Sequence, residues 1–199
     1  MTSRSRWIAG ATFAIGAAAL VSPIRRHLEA DMARQMLIEF PLLLAGGWGL
    51  AGLLSARVRS MIAAVDRLGL ASGTLVTLTL ALWMIPVALD ASLERPGYAL
   101  AKYASLGLAG AMLRGVAARQ PLPIQAFFVG GLAWMTATVG LIYQEAPQAL
   151  CVYYLPDMQQ RAGFGLAAFA LVGGVLWCVC AQRRLAAADR PKTARSEAA

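Results

Sequence analysis

Residues 121–143, PLPIQAFFVGGLAWMTATVGLIY, form the stretch that decides the fold class. It contains no Asp, Glu, Lys or Arg, and its only ionisable group is Tyr143 at the edge. A helix needs about 20 predominantly apolar residues to cross the hydrocarbon core of a bilayer. Residues 162–181 have the same character, apart from Cys178 and Cys180. Both stretches therefore predict transmembrane helices.

The rest of the chain is similarly apolar. Of its 199 residues, 59% are hydrophobic and 14% are charged, whereas soluble domains have about 45–50% apolar and about 25% charged residues. The apolar residues are collected in six blocks: 7–22, 36–55, 70–89, 99–118, 121–143 and 162–181. The blocks are continuously apolar, unlike the alternating strands of a membrane β-barrel. The sequence predicts an all-α polytopic membrane bundle over residues 1–185.

The net charge of +8 is distributed as in a membrane protein with a defined topology. Twelve of the 18 basic residues lie at the N-terminus, after the second and fourth blocks, or after the sixth. Most acidic residues lie at the opposite block ends. The positive-inside rule then places both termini in the cytoplasm, and the basic side also favours contact with anionic lipid. We expect a multi-pass protein of the bacterial inner membrane that does not bind nucleic acid.

The two ends of the chain allow further predictions. MTSRSR followed by an apolar stretch ending in AAALVSP also fits a signal peptide with Ala17–Ala19 as the cleavage site. Cleavage would leave five spans in an unchanged orientation, and both interpretations stay open. Residues 186–199, AAADRPKTARSEAA, have almost no large apolar residue and are predicted to be a disordered cytoplasmic tail.

Glycines are dense inside the predicted spans. They occur as Gly46–Gly47, Gly107 with Gly110, Gly130–Gly131, Gly163 with Gly165, and Gly173–Gly174. In lipid, small residues allow close contact between helix backbones. We favour helix packing as their role over a ligand site.

A proline and several charges interrupt the third block at Trp83–Pro96, WMIPVALDASLERP. Pro86 lacks a backbone donor, and in a regular helix its ring clashes with the carbonyl of Leu82. Because hydrocarbon offers that carbonyl no partner, the bundle has to supply one. We predict a kink at Pro86 that opens an external funnel beside Asp90. The ASLERP segment is predicted to form a short surface helix ended by Pro96.

Charged side chains lie at one predicted depth near the external surface. Glu39 is in the second block and Lys102 in the fourth, while Asp157 precedes the sixth. A charge well inside a span costs about 2.5–3.5 kcal/mol on insertion scales. We predict that Glu39 and Lys102 face the bundle and each other. The alternative is that both side chains extend to the headgroups.

Three segments resemble the CtaG family of cytochrome oxidase assembly factors, over roughly residues 28–180. They are DMARQMLIEFPLLLAGGW, the run from WMIPVALDASLERP to GLAGAML, and YYLPDMQQRAGFGL. The matching positions of the second segment are Trp83, Pro86, Asp90, Ala91, Leu93 and Pro96. Members of this family are thought to help copper reach the oxidase. The resemblance implies a membrane accessory protein that binds an oxidase subunit or another membrane partner.

The chain departs from the family where the family carries histidines. Those positions hold Asp31, Gln35, Met84, Ala99 and Tyr103, and Lys102 stands at a family glutamate. The single histidine, His27, lies outside them. Imidazoles are apt copper ligands, so this chain cannot bind copper in the way the family does.

Thioethers are the soft donors that remain. Met32 and Met36 are i,i+4 on one helix face, and Met84 lies at the proline kink. The three could form a Cu(I) site, because thioether selects Cu(I). Methionine also fills gaps between helices, and this is the interpretation that we favour. We expect no resident cofactor, since one histidine cannot supply paired haem ligands.

The residues contain no hydrolytic constellation, because there is one histidine, no cysteine near it and no nucleophile motif. We therefore expect a non-enzymatic accessory protein. Two alternatives stay open: a Cu(I)-handling protein that uses Met32, Met36 and Met84, and a small carrier lined by Glu39, Lys102 and Asp157. The lack of visible inverted repeats argues against the carrier.

Overall fold

The computed structural model describes residues 3–55, 57, 60, 64, 66–116, 120–146, 148 and 150–188. All regular secondary structure in these residues is helical, which confirms the predicted all-α class. The helices are α1 (Ser3–Ala18), α2 (Ser22–Glu29), α3 (Met32–Leu53), α4 (Leu70–Trp83), α5 (Pro86–Glu94), α6 (Pro96–Val116), α7 (Leu122–Glu145) and α8 (Pro156–Ala188).

Three of these helices, α3, α7 and α8, are long and apolar enough to cross a membrane. Two bent pairs are further candidates: α1 with α2, bent by 69°, and α4 with α5, bent by 75°. The described residues thus provide three to five candidate spans, and the predicted six are not confirmed. The predicted fourth span is helical as α6 but is not among the candidates. Lys102 and Arg114 lower its hydropathy.

α3 is the central helix, with α1 along one side and α6 along another. The backbones approach closely at glycines. A Cβ on Gly46 would lie 2.9 Å from Gly16 Cα in α1, and a Cβ on Gly47 would collide with the Gly107 carbonyl in α6. The prediction that glycines serve helix packing is confirmed for Gly46 and Gly47.

α7 and α8 form an antiparallel hairpin whose backbones meet at Gly140 and Gly163. The hairpin contacts the first turns of α3 through α8, and α4 through α7. A Cβ added at Gly130, Gly131, Gly173 or Gly174 would have nothing within 4 Å. The packing prediction is therefore wrong for these four glycines.

The helix is interrupted between α4 and α5, where the sequence predicts only a kink within one helix. Pro86 is the first residue of α5, a position at which its missing N–H costs nothing. The Leu82 carbonyl, predicted to be freed, accepts a hydrogen bond from the Ile85 N–H at 3.2 Å. The surface helix therefore starts at Pro86, before ASLERP, and Pro96 begins α6.

The last helix continues beyond the predicted span. α8 extends to Ala188, so residues 186–188 of the predicted disordered tail are helical. The remainder of that tail, residues 189–199, lies outside the described residues.

Candidate functional site

A buried lysine lies at the centre of a group of charges. Lys102 is fully buried, and its Nζ lies 2.9 Å from Glu29 Oε1 and 3.2 Å from Glu39 Oε1. Nζ also lies 4.8 Å from the centroid of the Tyr103 ring. The prediction that Glu39 and Lys102 face the bundle and each other is confirmed. We call Glu29, Glu39, Lys102 and Tyr103 the Lys102 cluster.

A π-helical turn within α3, Gln35–Glu39, places Glu39 in the cluster. In this turn the Phe40 N–H donates to the Gln35 carbonyl, five residues back. The turn directly precedes Pro41, whose ring would clash with the carbonyl of Leu37 in a regular α-helix. We attribute the wider turn to this proline. π turns of this kind are frequent at functional sites.

The bend between α1 and α2 returns Glu29, the last residue of α2, to the bundle. Its Oε1 also accepts a hydrogen bond from the Tyr103 hydroxyl at 2.6 Å. Its Oε2 lies 3.6 Å from Arg25 Nε. The formal charges of Arg25, Glu29, Glu39 and Lys102 add to zero. Such pairing is what makes the burial of charge tolerable.

Tyr154 ties the cluster to the connection between α7 and α8. Its hydroxyl lies within donating distance of two acceptors, Gln35 Oε1 at 2.6 Å and the Glu29 carbonyl at 2.8 Å. Within the described part of the chain, Gln35 Nε2 has no hydrogen-bond partner, whereas Glu39 Oε1 and Arg25 Nε have only their ion-pair contacts with Lys102 and Glu29. The interior of the site therefore keeps an unused donor on the Gln35 amide.

A polar cavity of about 150 Å³ adjoins the cluster. Glu29 and Tyr103 line it on the buried side, and exposed Glu94 and Arg95 line it at the junction of α5 and α6. The predicted funnel was placed beside Asp90. The cavity instead lies at the far end of α5, and Asp90 does not line it.

Asp90 holds the connection that follows α7. Its Oδ2 accepts a hydrogen bond from the Val152 N–H at 2.8 Å, and Glu94 accepts one from the Tyr153 hydroxyl at 2.9 Å. Burial, with a smaller effect from the Asp90 carboxylate, raises the pKa of the neighbouring Cys151 thiol to about 12. These two hydrogen bonds hold the connection between α7 and α8 against α5.

A backbone carbonyl at the break between α4 and α5 is hydrogen-bonded by a side chain of α7. The Tyr143 hydroxyl donates to the Met84 carbonyl at 2.6 Å, and Tyr143 is almost completely buried. The Tyr143 carbonyl in turn accepts a hydrogen bond from Gln159 Nε2 at 3.2 Å. The prediction that the bundle supplies a donor to the Leu82 carbonyl is therefore wrong, because the Ile85 N–H supplies it locally; the carbonyl that receives a donor from another helix is that of Met84.

The three candidate copper ligands are all buried. Met32, Met36 and Met84 belong to one hydrophobic core cluster. Met36 and Met84 line the same apolar cavity of about 450 Å³, whereas Met32 does not line it. The structure thus brings two of the three thioethers to a common space.

Asp157 is not part of the Lys102 cluster. Its side chain is exposed in the first turn of α8. Of the three residues predicted to line a carrier pathway, Glu39 and Lys102 therefore lie together and Asp157 lies apart from them. Asp31 accepts hydrogen bonds from the Ala33 and Arg34 N–H groups and caps the start of α3.

Several site residues were missed in the sequence. The sequence predicts Glu29 and Arg25 only as charges on the external side; the signal that could have placed them is Pro23 in the first turn of α2, which ends the preceding helix as Pro86 does. Tyr143 and Tyr154 carry a weaker signal, because a tyrosine at a span edge is usually an interface residue.

Comparisons with protein-family models, with curated proteins and with solved structures find no match to this chain. Within the described residues, no group of three or more His, Cys, Asp or Glu side chains is arranged to hold a metal ion. The functional argument consequently depends on the geometry of the site.

Proposed function

We propose that the protein is a non-enzymatic accessory protein of the bacterial inner membrane that binds a membrane partner, in the manner of the oxidase assembly factors that its sequence resembles. The observation that supports this concerns the positions at which that family carries histidines and a glutamate, because here their side chains make structural contacts. Asp31 caps a helix, Gln35 accepts from Tyr154, and Lys102 pairs with two glutamates. Side chains engaged in this way stabilise one shape, which is the property that a scaffold requires.

The surface around the break supplies a place for the partner. Val87 and Val152 are 76% and 88% exposed, and Leu155 is 65% exposed. Asp90 and Glu94 fasten the connection carrying Val152 against α5, so these apolar groups are presented on a fixed frame. Exposed apolar groups beside a polar rim are typical of protein-binding surfaces.

Site-specific cross-linking in native membranes tests this function. A photoreactive residue at Val152 should capture a respiratory oxidase subunit, and Val152→Asp with Leu155→Asp should reduce association while the chain still inserts. Deletion of the gene should lower the oxidase activity of the membranes. An unchanged oxidase activity together with no captured membrane protein contradicts the proposal. Leu68→Asp, a change at an exposed residue just before α4 and at the other end of that helix from the break, is the control.

A second function, Cu(I) handling, is favoured by one observation, the shared cavity of Met36 and Met84. Titration with a Cu(I) chelator as competitor distinguishes it from the scaffold. Replacing Met32, Met36 and Met84 with leucine conserves volume and costs below about 1.5 kcal/mol per site. Tight one-to-one binding in the wild type that this variant lacks would establish the copper function. Equal, weak binding in both proteins would leave the methionines as packing residues.

A further inference from the structure

A second cavity lies below the apolar one, between the body of the bundle and the α7–α8 hairpin. Its volume is about 250 Å³. Val129, Leu132 and Trp177 line both cavities, so the two adjoin along the α7–α8 hairpin, and we treat them together as one cleft. We call it the Arg184 cleft, after the basic residue at its lower end.

The two ends of the Arg184 cleft differ in chemistry. The upper part is lined almost entirely by apolar groups, such as Phe40, Leu80 and Leu166. Gln120 and Arg184 line the lower part. The lower end is the one predicted to be cytoplasmic. The cleft therefore has the polarity of an amphiphile whose head is at Arg184.

We infer that the Arg184 cleft holds one anionic phospholipid, with its phosphate at Arg184 and an acyl chain between α4 and the α7–α8 hairpin. The lining places the acyl chain within one leaflet of Arg184. Gly174, which lines the apolar part, is ten residues from Arg184 on the same helix, or about 15 Å at 1.5 Å per residue, which is half of a hydrocarbon core about 30 Å thick. The apolar part continues beyond this depth to Leu166, about 27 Å from Arg184.

The charge at the lower end also fits. Arg184 forms no ion pair with any of the described residues. Asp66 does not line the cleft, and its carboxylate accepts hydrogen bonds from the Ala71 and Ser72 N–H groups at 3.3 and 2.8 Å. A phosphate at Arg184 would thus meet a cation that the described residues leave without an ion-pair partner.

Glycines in the wall of the cleft provide the test. Gly173 and Gly174 line the apolar part, and a Cβ at either would meet nothing within 4 Å. A leucine at Gly174 would project into the space assigned to the acyl chain without striking the protein. It also replaces a poor helix former with a good one, so the fold should be retained. Gly130 has the same open surroundings but does not line the cleft, which makes Gly130→Leu the matched control.

The experiment is native mass spectrometry of the full chain with equal amounts of phosphatidylglycerol and phosphatidylcholine that carry identical acyl chains. We expect one retained lipid, predominantly phosphatidylglycerol. Arg184→Gln should reduce the preference for phosphatidylglycerol about five-fold. Gly174→Leu should lose most of the bound lipid, and Gly130→Leu should keep it. Ala133→Phe, at another position in the wall, repeats the filling test if Gly174→Leu does not fold.

Two results would overturn the inference. One is equal retention of both lipids by the wild type, or retention that neither filling variant reduces. The other is a photoreactive residue at Phe169, in the wall of the apolar cavity, that captures a protein segment instead of lipid in native membranes. Capture of lipid at Phe169 that Gly174→Leu abolishes, while Phe127 on the outer surface of α7 still captures bulk lipid in the same variant, supports it.

Discussion

The Lys102 cluster and the lower end of the Arg184 cleft lie at opposite ends of one bundle and are built in opposite ways. The charges of the Lys102 cluster cancel together with that of Arg25, and the hydroxyls of Tyr103 and Tyr154 donate to Glu29 and Gln35 at 2.6 Å. At the cleft, glycines leave open space and a lone arginine marks the end. Polar contacts thus fix the first region in one arrangement, while the second is left to be filled.

The largest effect is expected from Lys102→Met. The substitution leaves Glu29 and Glu39 buried without their cation, and breaking a buried pair in this way costs about 3–5 kcal/mol. Thermal unfolding in detergent should show the loss. Adding Glu39→Leu to the variant removes the more deeply buried unpaired carboxylate, so the double variant should recover much of the stability. If Lys102→Met is as stable as the wild type, the Lys102 cluster does not stabilise the fold.

A smaller effect is expected from Tyr143→Phe, which deprives the buried Met84 carbonyl of its donor. An unsatisfied buried acceptor costs about 1–3 kcal/mol. Tyr153→Phe is the matched control, since it removes a hydroxyl that donates to Glu94 at an exposed position, and it should change the free energy of unfolding little. Equal losses in the two variants would show that Tyr143 does not stabilise the break.

The smallest effect is expected from Pro86→Ala. Because Pro86 is the first residue of α5, the restored N–H gains no helical partner, and the cost should stay below about 1 kcal/mol through the unfolded chain. Pro96→Ala, at the start of α6, should behave alike. Accessibility of a cysteine at Val87 should not change. Its loss of accessibility in Pro86→Ala would show that the proline itself maintains the break.

Some of the features that these three variants test were predictable from the sequence, and others were not. The pairing of Glu39 with Lys102 was predictable, because a charge in an apolar block needs a partner. The site of the break was predicted to within two residues from Pro86. The participation of Glu29 was not predicted: Pro23 in the first turn of α2 signals a helix break, but the 69° angle that returns Glu29 to the bundle depends on packing against other helices.

The glycines mark the limit of sequence reasoning in this chain. Gly46 and Gly174 lie in similar apolar surroundings in the sequence, yet the first contacts another backbone and the second lines open space. A missing side chain permits both outcomes, and only the position of the neighbouring helix decides between them. The number of spans is also difficult to predict from the sequence. Lys102 and Arg114 lower the hydropathy of α6, although this helix packs along the central helix α3.

The order of the charges along the chain has a consequence for synthesis at the membrane. Glu29 and Glu39 precede Lys102 by 73 and 63 residues, so both carboxylates leave the ribosome well before the lysine that neutralises them. Until α6 arrives, Glu39 has no cationic partner and Glu29 has only Arg25, so burial of these carboxylates in lipid is unfavourable. We expect α2 and α3 to remain at the insertion machinery until α6 is delivered, and the three helices to enter the bilayer together once Lys102 has paired with both glutamates.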